Sequence, residues 1–220
     1  MSIVQVFQAG GVVMIPLLLF SIAAIALSIE RALFWYRISR QQRSVIRDFL
    51  RVYRSDSLTA AERLQQHSTL PIARVFLEAL ELDGEPPSQF RLALEGAAQA
   101  ELPFLRRFNT VFQTIVAVSP LLGLLGTILG LIRSFATIRL GEVGANATAV
   151  TGGISEALVS TAAGMVVAIF TLVVANLFRG LYKRQVSMLQ EYSSQLEVLY
   201  GRHYYAKHKS QPASEESYAH

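Results

Sequence analysis

Three long stretches without a charged residue constrain the fold of this chain more than any other feature. They comprise residues 1–29, Asn109–Ile132 and Ala157–Phe178, and the last two contain 24 and 22 residues. A helix needs about 20 apolar residues to cross the hydrocarbon core of a bilayer. Of the whole chain, 52% is hydrophobic and 16% is charged. Since about 25% is charged in a typical soluble domain, we predict an all-α membrane protein with three transmembrane helices.

The basic residues predict which ends of these helices face the cytoplasm. Of the 20 lysines and arginines, 11 lie between Arg37 and Arg107 and 6 lie between Arg179 and Lys209. Cytoplasmic flanks of membrane spans are enriched in such residues. We therefore predict that the N-terminus is outside and the C-terminus inside. The net charge of +4 is then a topology signal, and no nucleic-acid partner is expected.

The predicted organisation alternates membrane and cytoplasmic segments. These are a first transmembrane helix (1–36), a cytoplasmic helical domain (37–108), a second transmembrane helix (109–134), a periplasmic loop (135–153), a third transmembrane helix (154–178), a cytoplasmic helix of the bundle (179–206) and a disordered tail (207–220). Four glycines favour the loop. Within the cytoplasmic domain, residues 59–62 match a capping box, which predicts a helix start at Thr59.

The second and third spans each carry one face of small and hydroxylated residues. At 100° per residue, these faces contain Ser119, Gly123, Gly126, Thr127, Gly130 and Ser134 in one span and Glu156, Ala157, Ser160, Thr161, Gly164 and Ala168 in the other. Large aliphatic residues cover the remaining surface of both helices. Such a face either lets two membrane helices pack closely or lines a polar cavity.

Two threonines on these faces are predicted to lie at one depth. Thr127 is six residues from Arg133, and Thr161 is five residues from Glu156. At 1.5 Å per residue, both threonines would lie about 8–9 Å inside the outer boundary. We interpret the level hydroxyls beside Glu156 as a water-lined path, and close helix packing alone is the alternative. Arg133 either pairs with Glu156 or extends to the outer lipid headgroups.

The sequence contains no pattern that indicates catalysis. Gly123, Gly126 and Gly130 follow no strand and precede no Gly-Lys-Ser/Thr, so they do not form a phosphate-binding loop. The four histidines lie outside the spans and have no metal-ligand spacing. The chain has no cysteine, so no disulfide is expected. We expect neither an enzyme nor a cofactor nor a metal site.

Three segments resemble the MotA/TolQ/ExbB proton-channel family. They are Glu30-Arg31 at the end of the first span, Ser119-Pro-Leu-Leu-Gly-Leu-Leu-Gly-Thr-Ile-Leu-Gly130, and Ile154-Ser-Glu-Ala-Leu-Val-Ser-Thr-Ala-Ala-Gly164 with the residues up to Ile169 and Asn176. Three spans in 220 residues resemble the ExbB/TolQ branch. The family often carries proline where this chain has Phe170.

The resemblance implies a multi-pass subunit of a proton-motive-force-driven motor in the bacterial inner membrane. Five such subunits, surrounded by lipid, would enclose two single-span partners of the ExbD/TolR type. A TonB- or TolA-like protein would be a further partner. The motor would energise outer-membrane transport or envelope maintenance. Thr127, Thr161 and Glu156 would line the proton path. On the same helix faces we predict four further lining residues: Ser119, Gly130, Ser160 and Gly164.

The residues support one part of this implication independently. Near the middle of the three spans the sequence places no Asp, Glu, Lys or His. Hydroxyl groups alone cannot hold a proton in transit, so a titrating group would have to come from another chain. The alternative function is a non-conducting membrane scaffold, which should tolerate Thr→Val at positions 127 and 161.

Overall fold

The computed structural model describes residues 10–138 and 146–209. In these ranges every regular element is a helix: α1 Met14–Tyr53, α2 Ser57–Gln65, α3 Pro71–Leu80, α4 Pro87–Leu105, α5 Asn109–Ile138 and α6 Asn146–Lys209. Three stretches, within Met14–Tyr53, Pro87–Ala136 and Thr151–His208, are long and apolar enough to cross a membrane. The predicted all-α fold with three apolar spans is confirmed. The predicted tail beyond residue 209 and the centre of the predicted loop lie outside the described residues.

The chain divides into two compact units. The first contains residues 1–32 and 108–180, and the second contains residues 33–107 and 181–220. Helices α1 and α6 contribute residues to both units. The three uncharged stretches belong to the first unit, whereas 16 of the 20 lysines and arginines belong to the second.

In the first unit, large aliphatic side chains point away from the protein. The exposed ones include Ile15, Leu18, Leu19, Ile22 and Ile25 of α1, Leu121, Leu124, Leu125 and Ile128 of α5, and Leu158, Val166, Ile169 and Val173 of α6. The buried apolar cluster is small: Val13, Met14 and Leu17 pack against Leu122, Leu129 and Ala163. A helix surface this apolar is stable only against lipid or a neighbouring subunit.

Two predicted boundaries of the periplasmic loop are wrong. Helix α5 continues to Ile138 and α6 already begins at Asn146, so helix replaces most of residues 135–153. The glycines predicted a loop, but Gly153 lies inside α6. A methyl group on Gly153 would lie 2.9 Å from the carbonyl oxygen of Gly130. This glycine therefore permits close packing of two helices and does not end one.

Helix α6 is continuous over 64 residues. It runs without interruption through Phe170, where the family often has proline. The prediction that the third helix continues far beyond its apolar stretch is confirmed. Helix α1 is also continuous beyond its apolar stretch, since it extends past residue 36, the predicted end of the first span, to Tyr53.

The second unit has a conventional hydrophobic core. Its core contains Phe49 and Tyr53 of α1, Phe76 of α3, Phe90 of α4 and Tyr200 of α6. The rings of Phe90 and Tyr200 are stacked with their centroids 3.8 Å apart. The capping-box prediction is wrong, because the N-cap of α2 is Asp56. Its carboxylate accepts hydrogen bonds from the amides of Leu58 at 3.0 Å and Thr59 at 3.2 Å.

Candidate functional site

The small-residue faces of α5 and α6 pack directly against each other. A methyl group on Gly123 would lie 3.0 Å from the Cα of Thr161, and one on Gly130 would lie 2.8 Å from the carbonyl oxygen of Gly153. A methyl group on Gly126 would overlap the Ser160 side chain. We call this antiparallel backbone-to-backbone contact the seam; it is formed by Ser119, Gly123, Gly126, Gly130 and Ser134 of α5 and by Gly153, Ala157, Ser160 and Gly164 of α6.

Four residues expected along a path lie in the seam. Ser119 and Ser160 are fully buried. Their hydroxyls donate to carbonyl oxygens of their own helices, of Ile115 at 2.7 Å and of Ala157 at 2.9 Å. Gly130 and Gly164 lie where the two backbones touch. Within the described residues, Ser119, Gly130, Ser160 and Gly164 therefore take part in the packing of α5 against α6, and their place along a proton path stays a prediction.

Thr127 and Thr161 are partly exposed at the side of the seam. The Thr161 hydroxyl crosses the seam and donates to the carbonyl oxygen of Gly123 at 3.1 Å, whereas Thr127 donates to Leu124 at 2.6 Å. Thr161 thus lies opposite Gly123, which is four residues or about 6 Å along α5 from Thr127. The two hydroxyls nevertheless donate to carbonyl oxygens of consecutive residues, Gly123 and Leu124, whose positions differ by about 1.5 Å along α5. The single depth of the hydroxyls stays a prediction.

Both threonines lie on the same side of the seam, away from α1. Helix α1 packs against Leu122, Leu129 and Ala163. On helical geometry, the two leucines lie about 140–160° around α5 from Thr127, and Ala163 lies about 160° around α6 from Thr161. We call the side that α1 covers the α1 edge and the opposite side the threonine edge. In the described residues, the threonine edge is the one that α1 leaves open.

Glu156 and Arg133 form an ion pair on the α1 edge. The Arg133 Nη1 lies 2.6 Å from the Glu156 Oε1, and the side chains are 52% and 21% exposed, respectively. Glu156 lies about 140° around α6 from Thr161. The carboxylate therefore does not face the threonines, although all three were expected along one path. Of the two alternatives predicted for Arg133, the structure shows the pairing with Glu156.

Sequence reasoning missed Gly11, which also contacts Glu156. Gly11 has φ +68°, and a methyl group there would overlap the Glu156 Oε1. Its carbonyl oxygen accepts a hydrogen bond from the amide of Met14 at 3.1 Å, which begins α1. The adjacent pair Gly10-Gly11 directly before an apolar stretch was the available signal, because paired glycines mark a turn.

Comparison with known proteins assigns the chain to a family. A model of the MotA/TolQ/ExbB proton channel family matches residues 67–191, which include every residue of the seam as well as Thr127, Glu156 and Thr161. The chain belongs to this family. Together with the three apolar helices, membership makes it a multi-pass membrane protein, and its similarity is to the ExbB/TolQ branch.

Individual family members share most of the chain. Biopolymer transport protein ExbB-like 3 of Synechocystis sp. is 59% identical over 196 residues, which cover 89% of this chain and 93% of that protein. ExbB-like 1 of the same organism is 42% identical over 208 residues, covering 94% and 82%. Biopolymer transport protein ExbB of Salmonella typhimurium is 35% identical over 113 residues, covering 51% and 45%.

Proposed function

We propose that this family member is the ring-forming subunit of a proton-motive-force-driven motor in the bacterial inner membrane. With a single-span partner of the ExbD/TolR type, it would couple proton flow to energising outer-membrane transport or envelope maintenance. The observation that carries the proposal is the threonine edge: two hydroxyls inside the apolar spans, on the side of the seam that α1 does not cover.

A partner carboxyl group fits the chemistry of this edge. Each threonine hydroxyl has one proton and two lone pairs. Its proton is engaged by a backbone carbonyl, and its lone pairs can accept a hydrogen bond from water or a protonated carboxyl. The three spans supply no titrating group of their own near mid-membrane. A proton that passes 100 mV releases about 2.3 kcal/mol, but only a titrating group on another chain can couple that energy to motion.

The same geometry supports a closed ring as part of the proposal. The threonine edge of one chain is an open surface and cannot enclose a path. A cyclic homo-oligomer would place five such edges around a central partner, and its exposed aliphatic residues would meet lipid or the neighbouring subunit. The number five and the pair of partners rest on the family resemblance. The names of the relatives, biopolymer transport proteins, agree with a transport role.

Reconstitution with and without the partner tests this function. The chain is co-expressed with a single-span protein of the ExbD/TolR type that carries an aspartate in its span, and proton uptake into proteoliposomes is followed under an applied potential. We expect uptake with the partner, and none with the chain alone or with a partner whose aspartate is replaced by asparagine. A stable complex that conducts no protons would favour the scaffold function instead.

A further inference from the structure

The Glu156 carboxylate is held from two sides at the α1 edge. From α5, the Arg133 guanidinium approaches its Oε1 to 2.6 Å. From the turn that begins α1, the backbone of Gly11 lies against the same oxygen. The carboxylate thus connects α5 to the turn before α1, next to the small apolar cluster of Val13, Met14 and Leu17.

Only glycine permits this arrangement at position 11. Its φ of +68° disfavours any residue with a side chain. In addition, a methyl group would overlap the Glu156 Oε1 and would lie 3.5 Å from the Arg133 Nη1. A side chain at this position would therefore have to displace the carboxylate, the turn or both. Because Arg133 supplies the charge and Gly11 supplies the space, the two residues act on one carboxylate.

We propose that Arg133 and Gly11 are positioning residues, which hold the Glu156 carboxylate on the α1 edge of the seam and apart from Thr127 and Thr161. The inference deepens the proposed function and rests on it for its effect on proton flow. A carboxylate held in this place is turned away from a partner on the threonine edge. The strength with which it is held then sets how readily Glu156 takes part in proton transfer.

Chemical labelling of carboxyl groups tests the positioning without any transport assay. Membranes containing the chain are treated with a water-soluble carbodiimide and an amine, and the labelling rate of Glu156 is measured by mass spectrometry. Loss of one exposed ion pair should raise this rate by about two- to five-fold. We expect that rise in Arg133→Gln and Gly11→Ala, and a rate near wild type in Arg133→Lys.

Two glycine variants are matched controls. Gly84 also has a positive φ, +98°, but a methyl group there would meet no atom within 4 Å, so Gly84→Ala carries the backbone strain alone. Gly152 lies in α6 close to Glu156, and its methyl group would likewise meet no atom within 4 Å. Neither variant should change the labelling of Glu156. Unchanged labelling in Arg133→Gln or in Gly11→Ala would overturn the inference.

Proton uptake of the same variants gives the functional readout. We expect Arg133→Gln and Glu156→Gln to alter uptake, and the double variant to behave like Glu156→Gln alone, since Arg133 acts through that carboxylate. Arg133→Lys should restore most of the wild-type rate. Faster labelling of Glu156 together with wild-type proton uptake would show that the position of this carboxylate does not affect proton flow. Thr127→Val and Thr161→Val serve separately, because wild-type uptake in both would contradict the proposed function and leave the labelling result intact.

Discussion

At the scale of single residues, one ion pair links two helices of the second unit. In the second unit, Arg74 and Glu101 form two hydrogen bonds of 2.6 Å each, from Nε and Nη2 to the two carboxylate oxygens. Nη1 of Arg74 also donates to the carbonyl oxygens of Ser68 and Thr69. The hydrogen bonds and charge of Glu101 raise the pKa of Arg74 against the opposing effect of burial. Through Arg74, this pair therefore connects the turn before α3 with Glu101 of α4.

Breaking this pair should destabilise the second unit. The Glu101 side chain is only 9% exposed, whereas Arg74 is 41% exposed. We therefore expect Glu101→Gln to lower the free energy of unfolding by about 1–3 kcal/mol, less than for a fully buried pair. The Arg91–Glu95 pair is the control, because it is exposed and its atoms are 3.7 Å apart. Glu95→Gln should cost less than about 0.5 kcal/mol. Thermal unfolding of both variants in detergent measures the difference, and equal midpoints would contradict it.

At the scale of helices, the seam determines which residues are buried. We expect Gly130→Ala to separate α5 from α6, since its methyl group would lie 2.8 Å from the Gly153 carbonyl oxygen and 3.1 Å from the Ala157 Cβ. The loss of stability should be about 1–3 kcal/mol, as for an overpacked core. Gly152→Ala is the matched control in α6, where nothing opposes the methyl group. The measurement is the melting midpoint in detergent, and equal midpoints of the two variants would show that the helices do not touch at Gly130.

The sequence predicted these helices better than it predicted their contacts. Charge-free length and a 3.6-residue period were sufficient for the three spans and the small-residue faces. The residue of α5 that lies opposite Thr161, Gly123, was not predictable from distances to Arg133 and Glu156, because contacts between glycines set the alignment. The edge on which Glu156 lies depends on where α1 packs, and a single helix pattern carries no information about its neighbour.

Glycine was the residue type most often misinterpreted. Gly153 favoured a loop by its intrinsic preference, but a glycine inside a membrane helix permits close approach of another backbone. Gly11 received no role, although its lack of a side chain leaves room for a carboxylate. In both cases the neighbour that requires glycine lies far away in sequence, so that local preference alone gives the wrong interpretation.

At the scale of the whole molecule, the orientation in the membrane is the first property to measure. The chain has no cysteine, so single cysteines report position without interference. Following the distribution of lysine and arginine, Ser2→Cys and Gly144→Cys should react with an impermeant maleimide added to spheroplasts, and Ser57→Cys should react only after lysis. Reaction of Ser57→Cys in intact spheroplasts would contradict the proposed orientation.

The central claim is that the threonine edge serves proton flow and not only packing. Valine nearly preserves the shape of threonine but has no hydroxyl, and a hydrogen bond in a membrane is worth only about 0.6–2 kcal/mol. Thr127→Val and Thr161→Val should therefore leave the complex assembled. Thr114 is the control: it is exposed on α5, donates to its own helix at Thr110, and lies about 140° around the helix from Thr127.

The decisive measurement is proton uptake by proteoliposomes of the partner complex, with co-purification of the partner recorded for each variant. The account predicts that Thr127→Val and Thr161→Val abolish uptake and retain the partner. Thr→Ser at either position should keep most of the activity, and Thr114→Val should behave like wild type. Wild-type uptake in both Val variants at positions 127 and 161 would contradict the account and would leave the scaffold function in its place.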